Sequence, residues 1–81
     1  MKLYVGNLSK QITDVQLNDL AVPYGAVVSA QVATEKGSGA SRGFGFIEFS
    51  SATEGKAAMT GLDGRDVNGQ AIKVNEAKPR V

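Results

Sequence analysis

The sequence contains no cysteine and no histidine among its 81 residues. Disulfide bonds, zinc sites of the Cys/His type, catalytic thiols and imidazole acid–base catalysis are therefore excluded. The eight acidic residues are scattered along the chain, and no spacing pairs two of them for acid–base work. We therefore expect no catalytic residues, no bound metal and no cofactor.

The net charge of the sequence is small, and it has no long apolar run. Nine basic and eight acidic residues give a net charge of +1, which is too small for a polybasic protein that binds by charge alone. The most apolar stretch, residues 20–28, contains a proline and a glycine and is too short to span a bilayer. Because strand-like sequence begins at Lys2, we expect no signal or transit peptide. We expect a cytoplasmic protein that makes no membrane contact.

Alternating apolar and polar residues predict four β-strands, over residues 2–5, 27–34, 42–49 and 71–75. In the second strand the predicted inward residues are Val28, Ala30 and Val32. A Gly/Ser loop over residues 35–41 separates the second and third strands, and Asp-Gly and Asn-Gly pairs at 63–64 and 68–69 are turn signals.

Two capping boxes predict the helices, one formed by Thr13 with Gln16 and one by Ser51 with Glu54. Gly61 is predicted to cap the end of the second helix. The element order is then βαββαβ, which indicates an α+β, ferredoxin-like sandwich. A four-stranded antiparallel sheet would carry both helices on one face and leave the other face open. The whole chain, residues 1–81, would form this single domain.

The third strand carries its aromatic residues on the face where a core would not need them. By alternation Phe44 and Phe46 share one face with Glu48, while Gly43 and Gly45 face inward and let a helix approach the sheet. Tyr4 on the neighbouring first strand lies on the same open face. One interpretation is that the three rings only pack against each other or beneath a terminal segment. The other is a platform on which unpaired bases stack.

Two segments carry a resemblance to a known family. Residues 42–49 (RGFGFIEF) resemble the octameric signature of the RNA recognition motif, and residues 3–8 (LYVGNL) resemble its hexameric signature. The whole chain resembles the small single-domain bacterial members. The resemblance implies that Tyr4 and Phe44 each stack under a base, that Phe46 lies against the sugars, and that Arg42 pairs with a phosphate.

The resemblance and the strand alternation suggest further binding residues. Residues at the end of the last strand would read base edges partly through backbone groups: Asn75, Ala77 and Lys78. Four open-face residues could tune base choice, although for each of them the pattern favours an ordinary solvated surface residue: Lys2, Gln31, Glu48 and Lys73. Asn7 of the hexamer completes the expected RNA-binding set.

The sequence thus predicts a monomeric, non-enzymatic module that binds about two to four nucleotides of single-stranded RNA. Its role would be post-transcriptional or of the RNA-chaperone type.

Single-stranded DNA is an alternative ligand, because stacking does not require the 2′-hydroxyl. A protein-interaction domain that uses the helical face or the open sheet is a second alternative. Residues 78–81 are expected to form a flexible C-terminal tail.

Overall fold

The fold is seen in a computed structural model that describes residues 1–77, so Lys78 and the predicted tail lie outside the described residues. The elements along the chain are β1 (Lys2–Gly6), α1 (Asp14–Ala21), β2 (Val27–Thr34), β3 (Ser41–Phe49), α2 (Ala52–Leu62), β4 (Asp66–Val67), β5 (Gln70–Ala71) and β6 (Lys73–Glu76). A short 3₁₀ turn, Val22–Tyr24, follows α1.

Four strands form one antiparallel sheet in the order β2-β3-β1-β6, which confirms the predicted α+β sandwich. Both helices pack on the same face of this sheet, because their buried residues join the inward residues of the strands in a single core. The buried apolar residues are Leu3, Val5, Leu8, Ile12, Leu17, Ala21, Val32, Ile47, Phe49, Ala58, Leu62, Ile72 and Val74. Within residues 1–77, no helix is both long and apolar enough to cross a membrane.

The two predicted capping boxes differ in the structure. At α1 the box is complete: Gln16 N donates to Thr13 Oγ1 at 3.3 Å, and Thr13 N donates to Gln16 Oε1 at 3.1 Å. At α2 only half is formed, because Glu54 N donates to Ser51 Oγ but the Glu54 carboxylate turns away. Its Oε1 accepts instead from Ala26 N at 3.3 Å. The prediction of a second full box was wrong, since this carboxylate holds the turn before β2.

The sequence suggested that Gly61 caps the end of α2, but it does not. The helix continues to Leu62, and its capping residue is Asp63. Gly61 lies in the last turn, where the hydroxyl and ring of Tyr24 occupy the space that a Cβ would need. The glycine therefore serves close packing of the 3₁₀ turn against α2 rather than helix termination.

Val28 was predicted to face inward, and this was wrong. Val27 pairs with Phe49 and Ser29 pairs with Glu48, so an advance of two residues along β2 matches an advance of only one residue along β3. Such a β-bulge leaves one residue outside the alternation. Val28 is consequently 60% exposed, and Val27 packs against the core in its place.

The segment between α2 and β6 is more structured than the single predicted strand. Asp66–Val67 pairs with Gln70–Ala71 in a small hairpin, separate from the main sheet. Asn68 and Gly69 form its turn with φ of 54° and 83°, as the Asn-Gly signal predicted. Ala71 therefore belongs to the hairpin, and the strand of the main sheet begins at Lys73.

Aspartates from the helix ends cover both outer edges of the main sheet. Asp14, the first residue of α1, accepts a hydrogen bond from Val32 N on β2 at 2.8 Å. Asp63, which caps α2, accepts one from Val74 N on β6 at 3.0 Å. Each carboxylate occupies an edge N–H that could otherwise pair with another strand.

Gly45 on β3 is the point of closest approach between the sheet and α1. A Cβ at this position would lie 2.6 Å from the Gln31 carbonyl oxygen and 3.1 Å from Leu17 Cδ2. Gly45 is buried, and its φ lies outside the left-handed region. Space rather than backbone conformation therefore requires a glycine here, as predicted for its approach to a helix.

We expect Gly45→Ala to lower the free energy of unfolding by about 1–3 kcal/mol, because the added methyl group must displace backbone of β2 or the Leu17 side chain. Urea unfolding followed by circular dichroism measures the change. Thr53→Ala, at an exposed position of α2, is the control and should change stability by less than about 0.5 kcal/mol. An unchanged midpoint for Gly45→Ala would contradict this account of the packing.

Candidate nucleic-acid interface

The strand register arranges the open-face residues in rows across the sheet. The central row contains four residues side by side, Gln31, Phe46, Tyr4 and Asn75. A second row contains Ser29, Glu48 and Lys2. On the other side of the central row, Lys73 lies opposite Gly6. The predicted residues of all four strands therefore meet on one surface.

Tyr4, Phe44 and Phe46 form one cluster, which we call the aromatic platform. The ring centroid of Tyr4 lies 5.7 Å from that of Phe44 and 5.8 Å from that of Phe46, and the two phenylalanine centroids are 6.1 Å apart. The rings meet tilted or edge to face, at interplanar angles of 34°, 64° and 88°. All three are half-buried, so each keeps accessible surface on the side away from the helices. Edge contacts of this kind leave ring faces available to a flat ligand.

Gly6 is a contributor to the platform that sequence reasoning missed. A Cβ at Gly6 would lie 3.0 Å from Tyr4 Cε1 and 3.2 Å from the Tyr4 hydroxyl oxygen. The tyrosine ring therefore lies along its own strand, over the position that a side chain would occupy. The signal that could have revealed it is the spacing: Gly6 follows Tyr4 by two residues and so shares its face.

Two cations border the platform. Lys2 Nζ lies 5.1 Å from the centroid of Phe46, and Arg42 Cζ lies 5.7 Å from that of Phe44. Both distances are in the range of cation–π contacts. The guanidinium of Arg42 therefore sits beside an exposed ring, where a phosphate next to a stacked base could reach it.

Gly43 has a different role from the one the sequence suggested. It was expected to face a helix, but the nearest atom to a Cβ there is the Leu8 carbonyl oxygen at 3.5 Å. Its φ is 84°, a left-handed value that favours glycine. Here β3 carries extra residues relative to β2, and the Gly43 carbonyl accepts from Leu8 N at 2.8 Å. The glycine is required by this irregularity of the strand.

Of three further predicted binding residues, two use a hydrogen-bond donor within the fold and one lies outside the described residues. Asn7, with φ of 58°, donates from Nδ2 to the Ala71 carbonyl at 2.8 Å, so its donor end ties β1 to the small hairpin. Ala77 N donates to the Lys2 carbonyl at 2.8 Å, which commits that N–H to the sheet. Lys78 lies outside the described residues. Any base readout by Ala77 would have to use another of its backbone groups.

We expect Gly6→Val to displace the Tyr4 ring from the platform without unfolding the protein. The backbone of Gly6 lies outside the left-handed region, and valine suits a strand, so only the ring must move. Nuclear Overhauser contacts between the Tyr4 and Phe44 rings should weaken or disappear. Gly6→Ala should produce a smaller displacement of the same kind. Retention of every inter-ring contact in Gly6→Val would show that the ring does not depend on the glycine.

The chain resembles proteins whose names refer to RNA. A sequence profile of the RNA recognition motif matches residues 3–73. A putative RNA-binding protein, RbpB, of Nostoc sp. is 45% identical over 80 residues, which cover 99% of this chain and 78% of the relative. The putative RNA-binding protein RbpA of Synechocystis sp. is 42% identical, with 99% and 79% covered.

Solved structures give the same result. The crystal structure of the RNA-binding protein PG1 superposes with a TM-score of 0.94 at 38% identity, and covers 100% of this chain and 98% of that one. A Sxl-lethal protein/RNA complex superposes with a TM-score of 0.87 at 32% identity, over 94% of this chain and 47% of that chain. With the octamer and hexamer on the two central strands and an exposed aromatic platform between them, the chain belongs to the RNA recognition motif family.

Proposed function

We propose that the protein is a non-enzymatic, monomeric module that binds single-stranded RNA by stacking bases on the aromatic platform. The observation that carries this proposal is the cluster of three half-buried rings on the open face of the two central strands, with centroids 5.7–6.1 Å apart. Bases are flat and apolar on their faces, and each stack on an aromatic side chain contributes about 1–3 kcal/mol. Two or three such stacks correspond to micromolar affinity for about two to four nucleotides.

The surroundings of the platform support a nucleic-acid ligand. Arg42 borders Phe44, Lys2 borders Phe46, and Lys73 lies opposite Gly6, so basic groups flank the rings on three strands. Phosphates next to stacked bases would meet these groups. Gln31 and Asn75 end the central row and offer amides to base edges or to the 2′-hydroxyl. The biological role we propose is post-transcriptional or of the RNA-chaperone type.

We expect the double variant Phe44→Ala, Phe46→Ala to bind labelled random-sequence RNA at least about 30-fold more weakly than the wild type. The loss of two stacks removes about 2–6 kcal/mol of binding free energy. Fluorescence anisotropy measures the affinity, and circular dichroism checks that the variant remains folded.

The matched control for this experiment is Val15→Ala, Val22→Ala, which removes two apolar side chains that are 69% and 52% exposed on α1 and the 3₁₀ turn, on the helical side of the sheet. Its affinity for RNA should stay within about twofold of the wild type, since surface changes away from a site have small effects. Equal binding by the wild type and the phenylalanine double variant would refute the stacking mechanism.

Single-stranded DNA is the competing ligand, because the rings themselves do not distinguish ribose from deoxyribose. We expect RNA to bind more tightly than DNA of the same base sequence, by about two- to tenfold for each 2′-hydroxyl that forms a hydrogen bond with Gln31 or Asn75. Parallel titrations with matched oligonucleotides measure the ratio. DNA binding as tightly as RNA, or more tightly, would favour the alternative.

A protein-interaction role would leave the platform unused by nucleic acid. In that case, adding RNA would not shift the amide resonances of β1 and β3, and the helical face would be the surface of interest. The solvent-accessible rings and the basic groups around them favour the nucleic-acid ligand over this second class of partner.

A further inference from the structure

Glu48 is an acidic residue on a surface that otherwise presents rings, amides and basic groups. It lies on the open face of β3, two residues beyond Phe46, and is half-buried. Across the strand pair its partner is Lys2, whose Nζ lies 5.1 Å from the Phe46 centroid. The acidic and the basic residue are therefore direct cross-strand neighbours at one end of the platform, next to a ring proposed to contact RNA.

Four acidic side chains accept hydrogen bonds within the fold, whereas within residues 1–77 Glu48 does not, like Asp19, Glu35 and Glu76. Asp14, Glu54, Asp63 and Asp66 each accept a hydrogen bond from a backbone N–H. Within residues 1–77, the side-chain hydrogen bonds of the structure do not involve Glu48. Its oxygens keep their acceptor capacity for a ligand. Because a carboxylate repels phosphates, its position on this face is favourable for binding only if the ligand brings donors to it.

The four bases present different groups on their Watson–Crick edges. Guanine offers the acceptor O6 next to two donors, N1–H and the N2 amino group. Uracil offers a donor, N3–H, between two acceptor oxygens. Adenine and cytosine each place one donor amino group beside an acceptor nitrogen. Proteins that bind single-stranded RNA commonly read these edges by hydrogen bonds.

Resting on the proposed stacking of bases on the platform, we infer that Lys2 and Glu48 form a base-reading pair that selects guanine. The ammonium group donates to O6, and the carboxylate accepts from both N1–H and the N2 amino group. Side chains of directly opposite residues have Cβ atoms about 4.5–5.5 Å apart, a separation comparable with the width of a purine edge. In the same pose uracil presents O4 to the ammonium group and N3–H to the carboxylate, but it places its O2 acceptor where guanine has the N2 amino donor. Adenine and cytosine place a donor amino group against the ammonium group and an acceptor nitrogen against the carboxylate, so this pair disfavours them more strongly than uracil.

The experiment uses four RNA pentanucleotides that have uridines at both ends and differ only in the central base. We expect the wild-type protein to bind the guanine pentamer at least about fivefold more tightly than the all-uridine pentamer, since a bidentate contact discriminates by that factor or more. In Glu48→Gln the ratio should fall to about twofold or less, because an amide can also donate to the uracil oxygens.

Glu76→Gln is the matched control. Glu76 is an exposed residue of β6 that lies opposite Leu3, on the helix-facing side of the sheet. The Glu76→Gln variant loses the same negative charge as Glu48→Gln. Any general gain in affinity from weaker repulsion of the RNA phosphates should therefore appear in both variants. Only Glu48→Gln should change the ranking of the four pentamers, and Glu76→Gln should keep the wild-type ratio.

The outcomes separate this inference from the proposed function. Wild-type protein that binds all four pentamers equally, or that prefers uridine, would overturn guanine selection while leaving RNA binding intact. Retention of the guanine preference in Glu48→Gln would overturn the role of this residue. Failure of the wild type to bind any pentamer, even at concentrations well above micromolar, would overturn the proposed function itself.

Discussion

The pairing of β1 with β3 is the interaction on which both faces of the sheet depend. In this register Leu3 lies opposite Ile47 and Tyr4 lies opposite Phe46. The first pair fills the core and the second forms half of the central row on the open face. A shift of one residue would exchange the faces of all these side chains, burying tyrosine and exposing leucine. Core packing therefore fixes the platform: the burial that holds the register also holds the rings together.

Two glycines adjust this sheet on opposite faces. Gly45 lies on the inner face and lets Leu17 of α1 approach the backbone of β3. Gly6 lies on the outer face and lets the Tyr4 ring lie along β1. Neither glycine has a φ in the left-handed region, so both positions are glycines for space. The absence of a side chain has opposite consequences: on one face it tightens the core, and on the other it keeps an aromatic ring close to the sheet.

Local sequence rules predicted the features that depend on neighbouring residues alone. The capping box at Thr13, the Asn68-Gly69 turn and the shared face of Phe44 and Phe46 all follow from spacing, and the structure has each of them. The grouping of Tyr4 with these rings also required the strand order of the fold, which the βαββαβ order of elements supplied.

The sequence predictions that were wrong concern residues whose surroundings are determined by parts of the chain distant in sequence. Glu54 leaves its own helix cap for Ala26 N, and Gly61 lies under Tyr24. Val28 is displaced by a bulge whose position depends on pairing with β3, and nothing in the alternation of β2 indicates it. The role of Gly6 could not be assigned either, because spacing shows that it shares a face with Tyr4 but not that the ring bends toward it. Long-range packing decides each of these cases.

The distribution of charge explains how a protein with a net charge of only +1 can present a surface suited to RNA. Four of the eight carboxylates accept hydrogen bonds from backbone N–H groups, as Asp14 and Asp63 do on the two sheet edges. Three basic side chains, Lys2, Arg42 and Lys73, lie around the rings, where Lys2 and Arg42 contact Phe46 and Phe44. Attraction to phosphate then acts over short distances at the platform rather than through the field of the whole molecule, which salt would screen beyond about 10 Å.

In the proposed binding mode most of the affinity comes from stacking, and stacking alone distinguishes bases poorly. Selectivity therefore has to come from polar groups at the border of the rings, where the distance to a stacked base is short and water is partly excluded. Glu48 is the acidic member of that border among the described strand residues of the open face, and its partner Lys2 already rests on a ring. In the proposed binding mode the rings supply affinity and Glu48 supplies selectivity, while Lys2 can contribute to both as a cation near phosphates and as a donor to a base.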